Sequence, residues 1–76
     1  MKWYEVAYLD AENYEWYYEG GFRTKTEAIK YIRKMNKKEV IYIDINIWID
    51  DDLADTIKYY TNKKNYEKYC KTELHI

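Results

Sequence analysis

KKEVIYIDINIWIDDD, residues 37–52, places isoleucine at every second position: Ile41, Ile43, Ile45, Ile47 and Ile49. A period of two is the mark of a β-strand with one buried face. The strand is read as Glu39 to Asp50. Its isoleucines ask for a covering layer, because burying each such side chain is worth about 1.5–3 kcal/mol. The alternate positions hold Tyr42, Asp44, Asn46 and Trp48, and Asp50, Asp51 and Asp52 close the stretch. A face that only meets water would carry Thr, Lys and Glu. This one carries two large rings among acids and an amide.

The covering layer is found upstream. Thr24-Lys25-Thr26-Glu27 has the spacing of a capping box, in which the Thr hydroxyl accepts from the Glu amide and the Glu carboxylate reaches back. The helix that follows sets Ala28, Ile32 and Met35 on one stripe, with Ile29 and Tyr31 at its margins. Lys30, Arg33, Lys34, Lys37 and Lys38 cover the rest, and cations in the last turns suit the helix dipole. Much of this basic run therefore needs no nucleic acid to explain it.

Before the helix, Lys2–Leu9 and Tyr14–Phe22 read as strands rich in aromatic residues. The polar break Asp10–Asn13 joins them, and Gly20-Gly21 allows a bend or bulge. After the isoleucine strand, residues 51–61 fit two patterns. A hairpin would turn at Asp51–Ala54 and run a strand over Asp55–Thr61. A helix would start at Asp52 with Leu53, Ile57 and Tyr60 on one stripe. The Thr, Ile and two Tyr of the segment favour the strand. From Asn62 on, Tyr66, Tyr69, Cys70, Glu73 and Leu74 recur at helical spacing. The expectation is an α+β chain in the order ββαββα. Its four-stranded, mainly antiparallel sheet has a helix on one face, and the second helix joins the first or extends an edge.

The chain has 76 residues, which is the size of a single domain, residues 1–76. Its one cysteine, Cys70, rules out an internal disulfide and suits a reducing setting. MKWYEVAYLD lacks the apolar core of a signal peptide, and no apolar run reaches membrane-spanning length. A cytoplasmic location is expected, with no membrane partner. Proline, serine and glutamine are absent, while Lys, Asn, Ile and Tyr, all with AT-rich codons, dominate. That bias points to a low-GC bacterial host or one of its phages. A fifth of the chain is aromatic, more than so small a core can enclose. The net charge of −1 hides an alternation. Residues 1–22 and 40–57 are acidic, and residues 23–39 and 58–76 are basic, so acidic and basic faces are expected.

Catalytic chemistry finds little to work with. Serine is absent, and Cys70 and His75 are poorly spaced to share a helix face, with no group to orient the imidazole. Asp50, Asp51, Asp52 and Asp55 lack the alternation, central Gly and closing Glu of an EF-hand loop. One Cys and one His are too few for a structural zinc site. GGFRTKT, residues 20–26, lacks the spacing of a phosphate loop. The expectation is a protein that is not an enzyme and takes no cofactor and no metal.

Three function classes remain. Tyr and Trp among polar neighbours are the composition of interface hot spots. The first class is therefore a small protein-binding inhibitor acting by occlusion, with Tyr42, Asp44, Asn46, Trp48, Asp50, Asp51, Asp52 and Asp55 as its partner-binding surface. Its acids could stand in for phosphate charge in the basic channel of a host nucleic-acid-binding enzyme. Size, codons and the missing catalytic residues suit a phage or mobile-element inhibitor of a host defence protein, in the manner of anti-CRISPR proteins. The second class is a single-stranded nucleic-acid module that stacks bases on sheet aromatics, opposed by Asp44, Asp50 and the net acidity. The third is a structural homo-oligomer, such as a homodimer, that buries the aromatic face against a copy of itself. The C-terminal helix, through Tyr66, Tyr69 and Leu74, is the internal competitor for that face.

Overall fold

Strand pairing begins with β1 (Lys2–Asp10) and β2 (Trp16–Phe22), and α1 (Lys25–Arg33) follows. Then come β3 (Val40–Ile49), β4 (Asp52–Thr61) and α2 (Lys63–Tyr69). A 3₁₀ turn at Lys37–Glu39 leads into β3, and α2 widens into a π turn over Cys70–Leu74. The structure is a computed structural model describing residues 1–75. The strands form one antiparallel sheet in the order β2-β1-β3-β4. This is the expected ββαββα arrangement with an open sheet. The isoleucine strand lies inside the sheet, paired on both sides.

Register assigns the two faces. Tyr4, Val6 and Tyr8 of β1 stand opposite Ile47, Ile45 and Ile43, and Ile45 stands opposite Ile57. Opposite residues share a face, so these form the side that α1 covers. Val6, Ile43, Ile45, Val40, Ala28 and Ile32 make the buried cluster there. Thr24 caps α1 as the sequence implies: its Oγ1 accepts from the Glu27 amide, and the Glu27 carboxylate accepts from the Arg23 amide. The nine residues of α1 span about 13 Å at 1.5 Å each. The ten of β3 span about 33 Å at 3.3 Å each. The isoleucine stripe therefore outruns its cover. Ile43 and Ile45 are fully buried under α1, while Ile49 is 48 % exposed. Ile41 is buried too, but outside the α1 cluster: a bulge in β3 opposite Leu9 and Asp10 puts Val40 there in its place.

Residues 52–61 are strand, and the turn is two residues rather than the expected four, so the strand begins three positions earlier than its sequence suggests. Asp50 and Asp51 make a two-residue turn, and β4 begins at Asp52. Asp50 adopts φ 56°, the left-handed backbone that tight hairpins need and that Asp tolerates. Its amide donates to the Met1 carbonyl, and its carboxylate takes the N-terminal ammonium. β2, by contrast, starts two residues later than expected, at Trp16, because Tyr14 sits in the turn at φ 56°. There Asp10 Oδ2 accepts from the amides of Glu12 and Asn13.

α2 neither joins α1 nor extends a sheet edge. The Asn62 side chain caps its first turn, accepting from the Asn65 amide. Asn65 Nδ2 donates to the carbonyls of Lys38 and Val40. Tyr66 then packs on Tyr42, with ring centroids 5.6 Å apart, on the face of β3 opposite Ile43. α2 is thus tied to the start of β3 on the side that α1 does not use.

Candidate binding face

The face turned away from α1 is built in four rows across the sheet. Trp16, Leu9, Tyr42 and Thr61 form the first, and Tyr18, Ala7, Asp44 and Lys58 the second. Glu5, Asn46 and Thr56 form the third, beside the β2 bulge at Gly20-Gly21, and Trp3, Trp48 and Leu53 the fourth. α2 covers only the first row. Tyr66 tilts onto Tyr42 there, and Tyr69 tilts onto Tyr14 at 5.4 Å. Burial pushes the Tyr42 phenol up from its ordinary value, and the hydrogen bond with the Cys70 thiol does the same for Tyr66. Leu74 stays half exposed.

The far end is open. Trp3 and Trp48 stack with centroids 5.3 Å apart and planes within 7°. This geometry follows from their being directly opposed in the β1–β3 register. Trp3 Nε1 donates to the Asp50 carbonyl at 3.2 Å, which ties the stack to the hairpin turn. Glu5 Oε1 accepts from both Trp48 Nε1 (3.2 Å) and Asn46 Nδ2 (3.1 Å). Asn46 Oδ1 in turn accepts from the Thr56 hydroxyl at 2.8 Å. The polar atoms between the rings are thus held by one another and fix the ring orientations.

Gly20 matters to this arrangement. A Cβ there would come within 3.1 Å of Trp3 Cζ3 and 3.6 Å of Glu5 Cγ. The neighbouring Gly21 has φ 85°, a backbone state that suits glycine. The bulge they form lets Trp3 lie close to β2. Beside it runs an open groove of about 690 Å³ lined by Met1, Lys2, Trp3, Glu5, Gly20, Gly21 and Arg23.

Of the eight residues expected to bind a partner, Tyr42, Asp44, Asn46 and Trp48 share this face. Tyr42 lies under α2, and the other three are half-buried and reach solvent. Asp50 and Asp51 stand in the turn beside the tryptophan stack. Asp52 and Asp55 stand opposite Ile49 and Ile47, on the side of α1. The two-residue turn itself puts Asp52 there, and a bulge in β4 at Ala54 shifts the alternation and puts Asp55 there; a second bulge, at Tyr59, follows further along the strand. Trp3, Glu5, Trp16 and Tyr18 belong to the face as well. Their parity in β1 and β2 is readable from sequence, but which parity faces away from α1 is decided only by pairing with β3.

Electrostatically the face is mixed. Burial pushes the Asp44 carboxyl above the usual carboxylate range, and the charge of nearby Lys58 opposes the shift. Among the described residues no Lys or Arg nitrogen pairs with Asp44, and the N-terminal ammonium with Asp50 is the ion pair present. No cluster of His, Cys, Asp and Glu that could hold a metal occurs among the described residues, and no described helix is long and apolar enough to cross a membrane. Comparison with family models, characterised proteins and solved structures finds no match to this chain.

Proposed function

We propose that this chain is a small non-enzymatic protein-binding protein that docks a basic partner on the face around Trp3 and Trp48 and acts by occlusion. The observation that carries the reading is the stacked Trp3–Trp48 pair, fixed by Glu5 and Asn46, beside an open groove and the acidic turn at Asp50 and Asp51. Rings held rigidly at the water boundary lose little entropy on binding, which is what an interface anchor needs. The acids around them supply attraction and register toward lysine and arginine. With the AT-rich codon bias, this supports an inhibitor carried by a phage or mobile element in a low-GC bacterium, directed at a host defence protein with a basic nucleic-acid channel.

Base stacking is the weaker reading. Trp3 and Trp48 stack on one another, so each ring already spends one face on its neighbour. Glu5 and Asp44 would also repel an approaching phosphate backbone.

A tagged pull-down from such a host, read by mass spectrometry, tests the proposal. The expected result is capture of a protein with a basic surface, lost in Trp48→Ala and Asp44→Lys variants that remain folded. Equal capture by wild type and both variants contradicts it. Light scattering that reports a dimer, or an oligonucleotide bound tightly at low salt, would replace it with the homo-oligomer or the nucleic-acid module.

A further inference from the structure

The second and first rows of the open face meet in a notch of about 150 Å³ lined by Trp16, Tyr42, Asp44 and Lys58. Trp16 and Tyr42 present nearly parallel rings, with centroids 6.3 Å apart and planes within 11°. Trp16 is 41 % exposed, so its ring is reachable from solvent. Asp44 supplies a half-buried carboxylate at the wall of the notch. It has no ion-pair partner among the described residues, although Lys58 stands directly across the β3–β4 pairing.

We propose that this notch is the receptor for an arginine side chain of the partner, with the guanidinium lying against Trp16 and Tyr42 and its N–H fork on the Asp44 carboxylate. The inference rests on the docking reading above and names the residue type that docks at this point of the face. A planar guanidinium is weakly hydrated, stacks on aromatic faces and pairs with a carboxylate in two parallel hydrogen bonds. The notch holds about five waters' worth of liquid volume at ≈ 30 Å³ each, room for a guanidinium and its adjoining methylene. An apolar side chain would seal a carboxylate away from water without a partner. A nucleotide would bring phosphate toward it. Lysine, a compact and strongly hydrated charge, gains less from the ring faces. Lys58 is the internal competitor, close enough to act on Asp44 through charge and displaced when the arginine enters. The burial that disfavours the Asp44 carboxylate in the free protein is the deficit that an incoming cation relieves.

The test is an NMR titration of the full chain with N-acetyl-arginine amide. The proposal expects saturable shifts at the Trp16 indole N–H and the Tyr42 ring, with the Ile43 and Ile45 methyl signals unmoved. Asp44→Asn, which keeps shape and removes charge, should weaken binding by roughly fivefold or more. Lys58→Met should tighten it by about twofold. N-acetyl-lysine amide should bind more weakly, and adenosine monophosphate should not shift these signals. No saturable shift, an Asp44→Asn affinity equal to wild type, or preference for adenosine monophosphate overturns the notch. Its fate is separable from that of the docking face. Partner capture that survives Asp44→Asn but fails in Trp48→Ala removes the arginine site and keeps the face.

Discussion

Trp3 and Trp48 face one another across the β1–β3 pairing, 5.3 Å apart and nearly parallel. Glu5, two residues along β1 on the same face, accepts from the Trp48 indole. The stack is therefore both a cross-strand pair that steadies the open end of the sheet and a half-exposed apolar feature on its uncovered side.

A double-mutant cycle separates those roles. Trp3→Ala and Trp48→Ala should each lower stability to urea, and the coupling between them should be about 0.5–1.5 kcal/mol. A coupling near zero would mean that the rings do not pair in solution.

Gly20 sets where Trp3 lies. Gly20→Val should press branched carbons into the indole, since even a Cβ comes within 3.1 Å of it. The expected outcome is a changed tryptophan emission and the loss of much of the Trp3–Trp48 coupling. Gly21→Ala acts by another route. Nothing lies within 4 Å of its Cβ position, but φ is 85°, so it should cost roughly 1–2 kcal/mol in backbone strain and leave the emission unchanged.

The Asp44 carboxyl gives a pH signature. Burial raises its pKa in the folded state, so the folded chain holds this proton at pH values where the unfolded chain has released it. Stability should then fall as pH rises from the ordinary carboxylate range through the raised folded value. Asp44→Asn should remove that contribution, gaining on wild type at neutral pH and losing the advantage in acid. Urea midpoints measured from acid to neutral pH check this. A wild type that instead gains from Asp44 as pH rises would show the carboxylate to be paired.

α2 is held by side-chain amides rather than by a large apolar contact. Asn65→Ala leaves two carbonyls, those of Lys38 and Val40, without their donor. It should cost about 1–3 kcal/mol. Amide hydrogen exchange should rise in α2 and around Tyr42 while β1 and β3 stay protected. Uniform loss of protection would contradict the separate anchoring of this helix.

The isoleucine alternation made the central strand legible from sequence. Thr24 and Glu27 made the start of α1 legible, because both signals are local and periodic. β4 resisted for a physical reason. Its two bulges break the period of two, leaving Asp55, Ile57 and Tyr60 on the α1 side. Leu53, Ile57 and Tyr60 consequently imitate a helical stripe. The bulge at Ala54 also turns Asp55 away from the face of Asp44 and Trp48, with which the sequence reading groups it. Half of the open face was hidden because it belongs to β1 and β2. Trp3 and Glu5 reach it through register with β3, and Trp16 through register with β1, and register is a property of pairing rather than of any one strand. α2 was legible as a helix. Its seat on Tyr42 depends on hydrogen bonds from Asn65 to residues 25 and 27 positions away.

The central claim is that the Trp3–Trp48 face, and not the basic surface of α1, meets the partner. Quantitative capture from a low-GC bacterial lysate compares wild type, Trp48→Ala and Arg33→Ala, each checked for folding. Arg33 lies exposed on α1. The account predicts that Arg33→Ala retains the captured protein near the wild-type level and that Trp48→Ala loses at least about tenfold, the effect of a hot-spot ring. Loss in Arg33→Ala with capture intact in Trp48→Ala would contradict it.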